Sequence, residues 1–147
     1  MQRISEMSRN AMSRMRDTVW AIDARKDKVS DIQDRIREHA EETLVPRGFS
    51  YQINFDGVDP EQQMYARNRQ AIYLICKEAM SNIAKHSKGD QVSVKFKRTG
   101  KLFRMSVHDN GILEVKSYKT TGLGLSNMKM RAEKAGGTLT IDQNDGF

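Results

Sequence analysis

The start of the chain combines apolar and polar residues with helical spacing. Apolar residues recur every three or four positions on a polar background, which predicts one amphipathic helix from residue 1 to about residue 22. The apolar stripe consists of Ile4, Met7, Ala11, Met15, Val19 and Ile22. A stripe this narrow needs a partner surface, and we expect a seam between two chains in preference to a groove on the chain's own domain. Trp20 is expected to anchor this helix to the domain that follows.

The next segments predict a helix, a strand and a second long helix. Apolar residues with helical spacing extend from Ser30, a suitable N-cap, to about Leu44, just before Pro46. Residues 49–55 alternate apolar with polar side chains, as a half-buried strand does. A longer helical pattern then extends from about residue 61 to about residue 86.

The second half of the chain predicts a hairpin, a helix and a last strand. Two segments with alternating apolar and polar residues flank a tight turn at Gly100. A helical pattern follows later and ends at the pair Gly136 and Gly137. The predicted bounds are 91–98 and 102–108 for the hairpin strands, 125–135 for the helix and 138–142 for the last strand. Helices combined with antiparallel strands predict an α+β fold, a two-layer α/β sandwich with a mixed sheet, preceded by the N-terminal helical arm.

Charge and composition restrict the class of protein. The 147 residues carry a formal net charge of +6, which suits polyanionic partners, but the basic residues are scattered and we expect no dedicated nucleic-acid-binding function. No apolar run approaches the roughly 20 residues of a membrane helix. The single Cys76 suits a small core residue better than a catalytic thiol. These features predict a cytoplasmic domain, with any membrane attachment made only by segments outside this chain.

The predicted long helix presents four polar side chains together. At ~100° per residue, Glu78, Asn82 and Lys85 fall within an arc of about 60°, with His86 at its border. An amide oxygen suits Mg²⁺, and an ammonium group and an imidazole suit phosphate oxygens. A carboxylate there can act as the acid/base group. A solvated helical face is the alternative interpretation of this helix alone.

Two glycine-containing segments add a second kind of chemistry. Asp109 and Gly111 follow a strand, where a carboxylate can accept a hydrogen bond from the exocyclic amine of adenine, while guanine presents a carbonyl there. Gly122 and Gly124 precede a helix, where backbone N–H groups can bind phosphate. Taken singly, the first is also compatible with an ordinary Asp-Asn-Gly turn and the second is a weak motif.

The order and spacing of these three elements resemble the GHKL ATPase superfamily. Its members include histidine kinases, gyrase-type topoisomerases, MutL-type repair proteins and Hsp90 chaperones. The run from Gly122 to Gly137, GLGLSNMKMRAEKAGG, is similar to that of sensor histidine kinases of the NarL/DesK-like type, in their C-terminal ATP-binding catalytic domain. The resemblance extends over about residues 1 to 146.

The resemblance implies a Bergerat-fold site for ATP and Mg²⁺. Asn82 would hold Mg²⁺, and Glu78 would be the catalytic acid/base residue. The remaining cofactor-binding residues would be Lys85 and His86 at phosphate, Asp109 and Gly111 at adenine, and Gly122, Leu123, Gly124 and Leu125 near the phosphates. Residues 112–121 would form a lid over ATP, where Lys116 and Lys119 could reach the phosphates.

The resemblance also implies a domain division and a set of partners. Residues 1–28 would be one helix of a dimerisation and phosphotransfer domain with its linker, and residues 29–147 the catalytic domain. The full-length protein would form a homodimer through this arm. It would transfer the ATP γ-phosphate to a His on a helix absent here, and then to a response regulator.

Three departures from the family's pattern qualify this expectation. Leu113 occupies the position of a second glycine in the first glycine segment. The closing strand would begin after Phe147, and none of the histidines suits the role of phosphoacceptor. We therefore expect this chain alone to bind ATP without completing autophosphorylation. The alternatives are another GHKL-class ATPase or an anti-sigma Ser kinase, and, less favoured, a basic non-enzymatic interaction module.

Overall fold

The computed structural model of the protein describes residues 2–22, 27–100, 102–111 and 123–138. These residues form four helices and three strands. In chain order they are α1 (Gln2–Ile22), α2 (Val29–Thr43), β1 (Ser50–Asp56), α3 (Ala66–His86), β2 (Gln91–Thr99), β3 (Leu102–Asp109) and α4 (Leu123–Lys134), with a short 3-10 turn at Val45–Arg47. Among the helices described, none is both long and apolar enough to cross a membrane.

The three strands form one mixed sheet in the order β1-β2-β3. β1 is parallel to β2, with Ser50 opposite Gln91, and β3 is antiparallel to β2, with Asp109 opposite Val92. α3 lies in the connection between the two parallel strands, as a parallel pair requires. The mixed sheet covered by helices confirms the predicted α+β class.

The core lies between one face of the sheet and helices α2 and α3. On β2, alternate side chains are buried, as the period of two demands. Both helices contribute one apolar stripe with a spacing of three or four residues, so their buried faces meet the sheet. The fully buried members of this core include Val94 and Phe96 on β2, Ile32, Ile36 and Leu44 at α2, and Cys76, Met80 and Ile83 on α3. Phe96 also stacks on Phe55 of β1, with ring centroids 4.6 Å apart.

The prediction that Ser30 caps α2 is wrong, because the N-cap lies two residues earlier. Its N-cap is Lys28, whose backbone N–H donates to the Asp31 carboxylate at 3.1 Å. The Ser30 backbone N–H instead donates to the carbonyl of Pro60 at 2.9 Å. The Asp31 carboxylate at N3 thus satisfies the backbone N–H of the N-cap residue, which is a different bond from the side-chain cap expected of Ser30.

Helix α3 begins at Ala66, five positions later than the pattern predicts. The amides before it are bound elsewhere: Gln62 N–H donates to Asp59 O at 3.0 Å and Met64 N–H to Asp27 O at 2.8 Å. The Gln62 carbonyl accepts from Val29 N–H at 2.9 Å. This segment therefore ties the start of α2 to the start of α3 by tertiary hydrogen bonds, which local periodicity cannot reveal.

The N-terminal helix α1 is confirmed, and its stripe is exposed over most of its length. Met7 is 70% exposed, Met15 67% and Val19 61%. Trp20 is the exception. Its ring centroid lies 5.1 Å from that of Tyr73 on α3, and the Arg69 guanidinium lies 5.3 Å from the centroid of the Trp20 ring. Trp20 is therefore the predicted anchor between arm and domain, while the seam between two chains and the division at residue 28 stay predictions.

Glycines end the elements of the second half as predicted. Gly100, in the hairpin turn, has a φ of 61°, which a side chain rarely adopts. After α4, Gly136 has a φ of 81°, and the Gly137 N–H donates to the Ala132 carbonyl at 2.8 Å, which closes the helix. The predicted strand at 138–142 and the predicted lid at 112–121, apart from Thr138, lie outside the described residues.

Candidate functional site

Helix α3 presents the polar face that the sequence predicts. Glu78 and Asn82 are half-buried, while Lys85 and His86 are exposed in the last turn. The opposite face is buried, with Cys76 and Met80 both 0% exposed. The helix therefore holds Glu78 and Asn82 on a rigid element at the edge of the core. The two basic residues also suit the negative end of the helix dipole.

Asp109, the last residue of β3, is a fully buried carboxylate. It is 0% exposed, and its Oδ2 accepts hydrogen bonds from the Ser87 hydroxyl and, at 3.3 Å, from the Gly111 backbone N–H. Burying a carboxylate costs free energy unless hydrogen bonds replace its water. The fold meets that cost at this position, which marks Asp109 as the most unusual polar group of the predicted site.

Sequence reasoning missed Ser87 and Gly89, which complete the surroundings of Asp109. Ser87 is the C-cap of α3, and its backbone N–H donates to the Ile83 carbonyl at 2.9 Å. Its Oγ accepts a hydrogen bond from the Gly89 N–H at 3.0 Å. The available signal was a Ser-x-Gly sequence directly after the helix that carries the chemistry.

The loop after α3 and the loop after β3 are in backbone contact. A Cβ atom added at Gly89 would lie 2.6 Å from the Gly111 backbone nitrogen, and one added at Gly111 would lie 2.6 Å from the Gly89 backbone nitrogen. Neither residue has a positive φ. Glycine is therefore required at both positions by space, because any side chain would push the two loops apart.

Asn110 fastens the same two loops from the other side. Its Oδ1 accepts from the backbone N–H groups of Asp90 at 2.9 Å and Gln91 at 3.0 Å, and its Nδ2 donates to the Asp90 carboxylate at 2.8 Å. The three residues of the Asp-Asn-Gly sequence thus have two different roles. Asn110 holds the loop to the start of β2, while Asp109 and Gly111 face the loop after α3.

Helix α4 packs beside the polar face of α3. Met128 is 2% exposed and shares a small apolar cluster with Ala79, with Ile75 and Val107 at its edge. Leu123, Gly124 and Leu125 form the first turn of α4, which begins two residues earlier than predicted, and Gly122 lies outside the described residues. The helix whose first turn was predicted to bind phosphate is therefore adjacent to the helix that carries Glu78 and Asn82.

Comparison with known proteins decides the family. Residues 67–147, more than half of the chain, match the family described as histidine kinase-, DNA gyrase B-, and HSP90-like ATPase. The chain belongs to this ATPase family. Membership implies that the chain binds a nucleotide, and the matched residues contain the α3 face, both loops around Asp109 and α4.

Curated relatives of this ATPase domain are sensor histidine kinases. The chain is 32% identical over 95 residues to the signal transduction histidine-protein kinase/phosphatase DegS of Bacillus subtilis, a match that covers 62% of this chain and 25% of DegS. It is 35% identical over 72 residues to the sensor histidine kinase YxjM of the same organism, covering 49% of this chain and 17% of YxjM. The predicted resemblance is thereby confirmed, and the chain spans about a quarter or less of the length of these relatives.

Solved structures with the same fold are also histidine kinases. The Acinetobacter baumannii histidine kinase AdeS matches with a TM-score of 0.65 at 12% identity, covering 82% of this chain and 60% of AdeS. The histidine kinase domain of the Erythrobacter litoralis EL346 blue-light activated histidine kinase matches with a TM-score of 0.59 at 15% identity, covering 81% of this chain and 60% of that one. At such identities these matches show the fold of the ATPase domain alone.

Proposed function

We propose that this chain is the ATP-binding catalytic domain of a sensor histidine kinase, with one arm of its dimerisation helices attached. The observation that carries the proposal is the fully buried Asp109 carboxylate, held by the loops after α3 and β3. A buried carboxylate between glycine loops has little value for stability alone. It suits a ligand that donates a hydrogen bond to the carboxylate.

Adenine is the base that this arrangement favours. A carboxylate accepts hydrogen bonds, and the exocyclic amine of adenine donates one, whereas guanine has a carbonyl at that position. Since unpaired buried polar groups are costly, the mismatch with guanine selects for adenine. Gly111, next to Asp109, donates its backbone N–H to Oδ2 and so helps to hold the carboxylate in place for the base.

The α3 face suits the phosphates and Mg²⁺. Ser87, which contacts Asp109, lies at the end of α3. At about 1.5 Å per residue, Asn82 lies about 8 Å and Glu78 about 14 Å from it along the helix axis. A nucleotide with its base at Asp109 can therefore extend its phosphates to this face of α3. Mg²⁺ accepts one amide oxygen and otherwise prefers phosphate oxygens and water. Among the described residues, no group of three or more His, Cys, Asp or Glu side chains could hold a metal. When bound, Mg²⁺ would neutralise phosphate charge.

The other predicted residues would have roles at the metal and the phosphates. Asn82 would hold the metal, and Lys85 and His86 would bind phosphate oxygens from the last turn of α3. Glu78 would accept the proton of the attacking nucleophile. The N-terminal turn of α4, at Leu123, Gly124 and Leu125, with Gly122 before it, would direct backbone N–H groups toward the phosphates.

The acceptor of the γ-phosphate would be a His outside this sequence. His39 lies half-buried on α2, within 3.3 Å of the Thr43 hydroxyl and 3.5 Å of the Ser81 hydroxyl, which suits packing between helices. In the full-length protein we expect a homodimer through α1, phosphate transfer to that His, and then to a response regulator. This chemistry belongs in the cytoplasm, where ATP is available.

Titration calorimetry with ATP and Mg²⁺ tests the proposal. Asp109→Asn should weaken ATP binding roughly tenfold to a hundredfold, because a hydrogen bond to a charged group contributes about 1.5–3 kcal/mol. Asp56→Asn is the matched control, since Asp56 also ends a strand of this sheet but is exposed. Absence of ATP binding by the unmodified chain, or equal affinity of Asp109→Asn, would refute the proposal.

A second experiment tests the kinase class. The chain is mixed with ATP, Mg²⁺ and a separately supplied acceptor-helix domain, and acid-labile phosphohistidine is measured. Glu78→Gln should abolish transfer while ATP binding persists, because the acid/base group acts on the reaction and not on the base. Steady ATP hydrolysis without an acceptor would assign the chain to another class of this ATPase family.

A further inference from the structure

We propose that Ser87 is a positioning residue for adenine recognition, acting through Asp109. The inference rests on the proposed function, since it concerns how the same site selects its base. Ser87 was not among the predicted site residues. It is singled out by its place between the end of α3 and the buried carboxylate.

The Ser87 hydroxyl has a fixed hydrogen-bonding role. A hydroxyl has one proton to donate and lone pairs to accept with. The Gly89 N–H donates to the Oγ at 3.0 Å, so the hydroxyl proton is directed to Asp109 Oδ2. The backbone of Ser87 is also fixed, because its own N–H donates to the Ile83 carbonyl at the end of α3. The hydroxyl therefore has one position and one direction.

This direction determines how the Asp109 carboxylate is turned. The terminal torsion of an aspartate is broad, so burial alone does not set the plane of the carboxylate. Two donors from different loops, Ser87 Oγ–H and Gly111 N–H, converge on the same oxygen, Oδ2. Their directions fix the plane and leave adenine recognition to a carboxylate of defined orientation. Preorganised acceptors discriminate between ligands better than mobile ones do, because no ordering cost falls on binding.

The structural role of Ser87 as a C-cap can be separated from its role at Asp109. As a C-cap, Ser87 satisfies the helix through its backbone N–H, which alanine also has. Ser87→Ala therefore keeps the cap and removes the hydroxyl with its two hydrogen bonds, to Asp109 and from Gly89. The hydroxyl's contribution to base recognition can then be separated from the end of α3.

The experiment compares two nucleotides that differ only in the group Asp109 would bind. Binding of ATP and of purine riboside 5′-triphosphate, which lacks the exocyclic amine, is measured by calorimetry with Mg²⁺ for the unmodified chain, Ser87→Ala, Ser87→Thr and the exposed control Ser106→Ala. We expect Ser87→Ala to lose about tenfold in ATP affinity and to keep its affinity for the amine-free nucleotide within about twofold. Ser87→Thr and Ser106→Ala should keep the preference for ATP.

A double-mutant cycle tests whether Ser87 acts through Asp109. In an Asp109→Asn background, Ser87→Ala should cause less than about a twofold further loss of ATP affinity, because the group it positions is gone. Independent losses at the two positions would overturn the inference, as would equal losses for both nucleotides or unchanged ATP affinity in Ser87→Ala. If Ser87→Ala does not fold in a thermal scan, loss of the ATP preference in Ser87→Thr overturns it. Failure of the unmodified chain to bind ATP would instead refute the proposed function itself.

Discussion

Substitution of Gly89 by alanine probes the contact between the two loops around Asp109. An added Cβ would lie 2.6 Å from the Gly111 nitrogen and 3.0 Å from its Cα, and closer still to Asn110 Oδ1. Ordinary contacts between such atoms are about 3.5–4.0 Å, so the overlap is close to one ångström. Gly89 has no positive φ, and alanine therefore brings no backbone strain of its own.

The expected cost follows from what must move. Asn110 Oδ1 already accepts hydrogen bonds from Asp90 and Gln91 N–H, so the side chain cannot yield without weakening both. Overpacking costs about 1–3 kcal/mol and each weakened hydrogen bond about 0.5–1.5 kcal/mol. We expect a loss of about 2–6 kcal/mol in the free energy of unfolding. For a chain of this size that lowers Tm by roughly 5–25 °C.

Thermal unfolding and ATP titration measure the two consequences. Gly137→Ala is the control, since its Cβ would meet the Ala132 carbonyl at an ordinary 3.5 Å, and its Tm should stay within about 2 °C. Gly89→Ala should also bind ATP less tightly, because displacement of Gly111 disturbs the donors to Asp109. If Gly89→Ala has the Tm and the ATP affinity of the unmodified chain, the reasoning about close backbone contact is refuted.

Three further predictions concern the core and the arm. Phe96→Ala should lower the free energy of unfolding, measured in urea, by about 3–5 kcal/mol, because Phe96 is 1% exposed and stacked on Phe55. Leu102 is 60% exposed, so the control Leu102→Ala should change this free energy by less than about 0.5 kcal/mol. Burial raises the pKa of Cys76 to about 12, so Ellman's reagent should react at pH 8 only after unfolding. Because the unfolded thiol ionises first, the free energy of unfolding should fall as pH rises from about 9 to about 12, and it should fall less in Cys76→Ala. Trp20 is the single tryptophan, and the Arg69 guanidinium covers its ring. Arg69→Met should therefore red-shift the fluorescence of Trp20 and increase its quenching by acrylamide. Unchanged emission would contradict the packing at the end of the arm.

The parts of the fold with strong periodicity could be predicted from the sequence. From Val92 to Phe96 on β2, every second residue is buried, and on α3 the buried stripe and the polar Glu78–Asn82 face separate as the 3.6-residue period requires. These patterns are local, and the core enforces them directly. For the same reason Trp20, a large apolar residue at the end of a narrow stripe, could be identified as the anchor of α1 before any contact was known.

The parts that sequence reasoning missed depend on contacts between distant segments. Ser87 meets Asp109 across 22 positions and Asn110 meets Asp90 across 20. Nothing in the helical or strand period records which loop will face which. The late start of α3 has the same cause, since Met64 N–H is bound to Asp27 O in a different part of the chain.

Helix α3 connects the features that matter for function, and this sets how variants of the chain should be interpreted. Its first turns hold the arm through Arg69 and Tyr73, its middle presents Glu78 and Asn82, and its end places Ser87 against the buried carboxylate. A helix of 21 residues is about 32 Å long and, packed on a sheet, behaves as one rigid body. A substitution that shifts its buried stripe therefore displaces the arm contact and the site together, and loss of ATP binding in such a variant is no evidence for a direct role. Only changes that spare this stripe, at the polar face or in the two loops, report on the chemistry itself.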